Sequence, residues 1–166
     1  MKRFLWPAAA LACLLAFTAC GGKKSAESEA EEFRKELTKE DTTQMLALCD
    51  DCMKTLKDGR IDEALSRLYT YNDSTETVTP ISETKRAELK RTFRLFPVLG
   101  YEMDYYSFNS QGQNDVKYNI RFFEKTDSAD TAPNTIGFMF NPVKVDGQWY
   151  LCIKEADQKF DRARNR

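Results

Sequence analysis

The chain offers few groups that can do chemistry. Its 166 residues contain no histidine. That removes His-based catalytic triads, histidine metal sites and imidazole acid–base work together. Cys49-Asp50-Asp51-Cys52 has the C-x-x-C spacing of thiol–disulfide exchange, which requires a thiolate of lowered pKa. The pattern around the pair argues against that use. It falls about two turns inside an expected helix instead of at a helix N-terminus, where dipole and free N–H groups favour the thiolate. The two intervening carboxylates oppose it further. Both cysteines share the apolar face of that helix, where cysteine packs as a small hydrophobe. A disulfide from Cys49 or Cys52 to Cys152 is the alternative. Closing a loop of about 100 residues would stabilise the fold by about 4–5 kcal/mol in the chain-entropy picture. No metal site and no cofactor is expected.

Tyr101, Asp104, Tyr105, Tyr106 and Tyr118 form a second group, on two expected neighbouring strands. Asp104 beside a cross-strand tyrosine would pair a base with a hydrogen-bond donor. Asp104 and Tyr105 point to opposite faces of a strand, however, and Asp104 falls on the polar one. Asp104 is thus a weak catalytic candidate, and Tyr101, Tyr105 and Tyr118 are expected to contact a ligand without chemistry. Arg86, Lys90 and Arg94, with Arg91 beside them, make a basic stripe at helical spacing that reads as a solvated face. Arg162, Arg164 and Arg166 read the same way. Lys+Arg and Asp+Glu number 25 and 26, a formal charge of −1, which leaves no electrostatic footprint for nucleic acid. No Gly-rich phosphate loop and no G-x-S-x-G elbow occurs.

The elements that must hold these groups follow from periodicity. Asp41 and Gln44 have capping-box spacing. Met45, Cys49, Cys52 and Leu56 then recur on one helical face up to Gly59. Ile61, Ala64, Leu65 and Leu68 mark a short second helix. Asn72 to Pro80 reads as a loop or irregular strand. Ser82 caps a third helix with inner residues Leu89, Phe93 and Phe96, stopped by Pro97. The period then changes to two. Tyr101, Met103 and Tyr105 alternate with polar residues, as do Val116, Tyr118, Ile120 and Phe122. Ile136, Phe138 and Phe140 follow. Asp146-Gly147 is a hairpin turn between 143–145 and 149–153. Helices first and hairpin-linked strands after give α+β, with N-terminal helices packed on a curved antiparallel sheet.

Residues 1–19 read as an export signal. Lys2 and Arg3 precede an apolar run, Phe4 to Phe17, too short to span a bilayer. Phe17-Thr18-Ala19-Cys20 resembles the bacterial lipobox, with Phe17 where Leu is usual, and implies lipid on Cys20. Residues 20–40 are then a polar, partly helical tether, 41–155 the domain and 156–166 a polar tail. This places the protein in a bacterial cell envelope, lipid-anchored and on the outer membrane. Asp127-Ser128-Ala129 and Asp130-Thr131-Ala132 resemble the O-glycosylation motif of Bacteroidetes envelope proteins, implying Ser128 or Thr131 as glycan sites.

The helices, with Asp58-Gly59-Arg60-Ile61-Asp62-Glu63-Ala64 at their first junction, and the strand meander ending in Val145-Asp146-Gly147-Gln148-Trp149-Tyr150-Leu151 resemble the NTF2-like (cystatin-like) cone fold. Within it, the chain resembles small Bacteroidetes-type lipoproteins of unknown function. The resemblance implies a pocket between helices and sheet, but not one activity, because this fold hosts enzymes, binders and dimer scaffolds. Its ketosteroid isomerases join an Asp base to a Tyr-containing oxyanion hole, the arrangement Asp104 would imitate. The expected function is a non-enzymatic envelope module binding a small ligand, glycan or partner protein. An isomerase- or dehydratase-like enzyme using Asp104 and a self-associating scaffold, a homodimer, are the alternatives.

Overall fold

The structure is a computed structural model that describes residues 26–127 and 131–154. The signal, Cys20, Ser128 and the 156–166 tail lie outside the described residues. In chain order the elements are α1 (Ala26–Glu36), α2 (Lys39–Lys57), α3 (Ile61–Ser66), β1 (Tyr69–Asn72), β2 (Thr77–Pro80), α4 (Glu83–Leu95), β3 (Gly100–Phe108), β4 (Asn114–Arg121), β5 (Thr135–Val145) and β6 (Gln148–Ile153). The α+β class is met. No described helix is long and apolar enough to cross a membrane.

Helix α2 is the spine of the fold. Thr38 opens it with a reciprocal capping box: its hydroxyl accepts from the Asp41 N–H at 3.0 Å, and the Asp41 carboxylate accepts from the Thr38 N–H at 3.1 Å. This corrects the expected Asp41–Gln44 box. Thr38 supplies a hydroxyl one turn earlier, so Asp41 becomes the third helical residue. Met45, Cys49, Cys52, Met53 and Leu56 form the buried stripe, and Gly59 breaks the helix in the left-handed region at φ +77°. Ser82 caps α4 as expected, accepting from the Lys85 N–H at 3.1 Å, and Leu89 and Phe93 are buried. Phe96 is the C-cap and only half-buried.

The segment read as a tether contains more structure than a spacer needs. Ala30, Phe33 and Leu37 lie along one side of α1 and its C-terminal turn. Ala30 is buried, and Phe33 and Leu37 pack on the cluster of Met45, Phe108 and Trp149. The packed unit therefore begins before Asp41. The 72–80 stretch is also more regular than expected: β1 and β2 form an antiparallel hairpin. Asn72 closes its turn, with Oδ1 accepting from the N–H groups of Ser74 at 2.9 Å and Thr75 at 3.2 Å.

The six strands form one curved sheet in the order β2-β1-β6-β5-β4-β3. It is mixed, which corrects the all-antiparallel expectation: β1 runs parallel to β6, with Tyr69 opposite Cys152. The last strand of the meander has a free edge, and β1 covers it in the direction that the chain has already set. A register shift between Met103 and Tyr105 makes Asp104 the extra residue of a bulge. Tyr101 faces the helices before it; Tyr106 and Phe108 do so after it. The core lies between α2, α3, α4 and this face, around Tyr118, Phe140, Leu65 and Met53.

Candidate functional site

The structure divides the sequence candidates between the two faces of the sheet. On the helix face, Tyr118 is 1% exposed and stacks edge-on between Tyr101, at 5.8 Å between ring centres, and Phe140, at 5.9 Å. Its hydroxyl is buried and has no hydrogen-bond partner. Burial, reinforced by the neighbouring Cys49 thiol and Asp50, drives the Tyr118 hydroxyl above the usual phenol range. Tyr101 is half-buried and hydrogen-bonded to Asp50; burial first and that bond second push it up to about 12. These two expected ligand-pocket residues are together. The space between them is filled by their own rings.

Tyr105 is not with them. The bulge turns it to the opposite face, where it pairs across to Lys117, whose Nζ lies 5.9 Å from the ring centre. Asp104 stands on that face too, with Lys117 Nζ donating to its carboxylate at 2.9 Å. Asp104 and Tyr118 are therefore on opposite sides of the sheet.

All three described cysteines are free thiols. The expected disulfide from Cys49 or Cys52 to Cys152 is not formed, and strand parity gives the reason. Trp149, Leu151 and Ile153 point to the helix side, so Cys152 points away from it. Cys49 and Cys52 belong to the core on the helix side. Burial raises Cys49 well above the ordinary thiol value, and raises Cys52 and Cys152 to about 12. A buried thiol of that kind is inert.

The face away from the helices is itself covered at the β6 end. Asp115 and Lys154 form an ion pair with side chains 0% and 3% exposed. Beside it, the Asn114 N–H donates to Asn141 Oδ1 at 2.8 Å, Asn114 Nδ2 donates to the Pro142 carbonyl at 2.7 Å, and Asn141 Nδ2 donates to the Gly112 carbonyl at 2.8 Å. Gly112 is required there, because a Cβ would come within 2.1 Å of the Tyr71 ring. At the start of α2, Asp41 also accepts from Lys144 Nζ at 2.5 Å and from Trp149 Nε1 at 3.1 Å, clamping the helix to the β5–β6 hairpin.

The open concavity is at the other end of the sheet. A cleft of about 590 Å³ is lined by Lys57, Gly100, Tyr101, Glu102, Asn119, Arg121 and Thr135. That size lies within the range of small-ligand sites. Gly100, Arg121 and Thr135 are opposite one another across β3, β4 and β5, and Glu102 is opposite Asn119. The two rows share the face away from the helices, and Lys57, in the last turn of α2, lines the cleft with Tyr101 from the helix side. Of the expected pocket residues only Tyr101 lines this cleft. The alternation in β4 contained the signal for Asn119 and Arg121; nothing local announced Lys57. A second groove, about 600 Å³ and largely apolar, runs between Gln44, Ala47, Leu48 and Asp51 of α2 and Gly147, Gln148 and Trp149 of the hairpin.

Among the basic stripe, Lys90 is bound to Asp62 of α3 at 2.6 Å and Arg86 lies 3.6 Å from Glu83; Arg91 and Arg94 are exposed. The stripe thus ties α4 to α3 in part. Thr131 is exposed in the β4–β5 connection. No group of three or more Cys, Asp or Glu placed to hold a metal occurs among the described residues.

Comparison with known protein families, with curated proteins and with solved structures finds no match.

Proposed function

We propose that this chain is a lipid-anchored protein of the bacterial envelope, held to the outer membrane through Cys20, whose NTF2-like domain is a non-enzymatic binding module. Order of elements supports the family reading: helices, a short hairpin, a helix and a four-stranded meander that returns beside β1. The cleft at Tyr101 is the binding site. One observation carries this: a polar cleft of about 590 Å³ stands open at the end of the sheet while the reactive candidates are engaged elsewhere. Asp104 is ion-paired on the face away from Tyr118, and the thiols are buried with raised pKa values. Asp104 shares its face with Tyr105 but is held by Lys117, away from the cleft, and the thiols are buried.

Filling the cleft with Asn119→Trp tests the site. Ligands that raise the melting temperature of the wild-type domain should lose that effect in the variant. Stabilisation that survives the substitution would move the site elsewhere. Turnover of a bound ligand that disappears in Asp104→Asn would replace this reading with the isomerase-like one. Self-association is favoured by a different observation, the partly uncovered sheet face around Asp104, Tyr105, Lys117 and Met139, away from the helices. Light scattering decides it: a concentration-independent monomer excludes the homodimer.

A further inference from the structure

We infer that the cleft takes a carboxylate-bearing saccharide, an acidic sugar of the uronic type, with Arg121 as its anchor and Gly100 as the residue that positions Arg121. This rests on the reading of the cleft as the binding site.

The argument starts from one glycine. A Cβ on Gly100 would lie 2.8 Å from Arg121 Nη2 and 3.3 Å from its Nε. The Nε–Nη2 edge of the guanidinium therefore lies against the β3 backbone, in space that only glycine leaves. The other side of the same group is taken: Nη1 donates to Glu124. A guanidinium has five donors in a rigid fork, and one carboxylate does not exhaust them. Glu124 and Gly100 together hold Arg121 in one orientation within the cleft lining. With the Nε–Nη2 edge against the backbone, a second carboxylate meets the remaining end of the group, where the outward protons of Nη1 and Nη2 can give two parallel hydrogen bonds.

The remaining lining indicates what the carboxylate is attached to. Lys57 brings a second cation from the end of α2. Glu102, Asn119 and Thr135 bring an acceptor, an amide and a hydroxyl, set in two neighbouring cross-strand rows. Acceptors and donors at that spacing match the vicinal hydroxyls of a sugar ring. A simple dicarboxylate would leave Glu102 opposed by like charge. An amino acid would satisfy Glu102 and Arg121, but would leave most of about 590 Å³ empty.

The test uses the chain from residue 20 onward with Cys20→Ser, which keeps every described residue. Calorimetric titration with glucuronate, glucose and alanine separates the ligand classes. Glucuronate should bind, with glucose and alanine weaker by about tenfold or more. Arg121→Gln should cost about tenfold for glucuronate and little for glucose. Arg121→Lys retains the charge but not the fork, and should also lose affinity. Gly100→Ala should weaken glucuronate while leaving thermal stability close to wild type, because the added methyl displaces only a side-chain end. Equal binding of glucose and glucuronate, no glucuronate binding at millimolar concentration, or indifference to Arg121→Gln would each overturn the inference. A different ligand whose binding is abolished by Asn119→Trp but untouched by Arg121→Gln would leave the binding module standing and remove the acidic sugar.

Discussion

The two faces of the sheet are held by different physics. The helix face is closed by apolar area: Tyr118, Ile120, Phe138 and Phe140 sit against α2 and α4, with Phe93 and Phe138 edge-on at 5.3 Å. The opposite face is buried only towards the β6 end, and there by polar groups: the Asp115–Lys154 pair, Asn141, and the Gly112 carbonyl. Burial on the first face is non-directional and tolerates repacking. Burial on the second depends on each polar atom keeping its partner. The same face is uncovered at the Gly100 end, and that is where the cleft lies. The polar lock and the polar cleft are two ends of one surface, distinguished by whether the 109–113 loop and Lys154 cover it.

That contrast can be broken most directly at its two most buried points. Phe140→Ala should cost about 3–5 kcal/mol in urea unfolding, the usual range for a buried aromatic. Lys154→Ala should cost a similar amount, about 3–5 kcal/mol, because it removes the charge that faces Asp115 in the interior. The two differ in rescue. Asp115→Leu with Lys154→Met should recover most of the loss, since a buried pair can be exchanged for apolar groups of similar volume. Failure of that rescue would mean the polar lock stabilises by more than pairing.

A smaller effect is expected at Asp41, where the contrast depends on pH. Lys144, and then the Thr38 hydroxyl, hold this carboxyl well below its ordinary 3.8. A carboxyl depressed in the folded state contributes stability that is complete above its unfolded pKa and is lost as pH falls towards the folded one. The contribution should therefore be full above pH 4 and fade progressively below 3.8. Unfolding curves of wild type and Asp41→Asn should converge in that acid range. A gap that stays constant from pH 7 to pH 2 would contradict the assignment.

Tyr118→Phe sharpens the helix face. It removes a buried hydroxyl without a partner, so stability should be unchanged or raised by about 1 kcal/mol. A loss above about 1 kcal/mol would mean that the hydroxyl has a partner in solution. The smallest effect belongs to the exposed end of the other face. Asp104→Asn breaks an ion pair whose members are 39% and 32% exposed, and should cost under about 1 kcal/mol.

Much of this was legible before folding. Ser82, Pro97 and Asp146-Gly147 mark boundaries through local backbone chemistry, and those elements begin and end near them. The alternation of Val116, Tyr118 and Ile120 identified a strand with one buried face. That Cys152 faces away from Cys49 and Cys52 needed the structure, because the side of the sheet that the helices cover is not a local property. The cap lies at Thr38, three positions before Asp41, because two residues able to cap stand one turn apart and only the folded backbone selects between them. The cleft was only half visible. Asn119 and Arg121 share a face by alternation, but Lys57 joins them through the packing of α2.

The sequence alone determined the α+β class, the helices from α2 to α4 and the alternation of the meander strands, because periodicity and caps are local properties. It also excluded imidazole chemistry, because there is no histidine. Only the tertiary structure decided that β1 closes the sheet in parallel beside β6, that the bulge at Asp104 separates Tyr105 from Tyr118, and that Asp115 meets Lys154 in the interior. Each of those joins positions far apart in the chain or depends on a one-residue change of register. No local pattern encodes them, since their energy comes from closing the sheet edge and satisfying buried polar groups after the chain has folded.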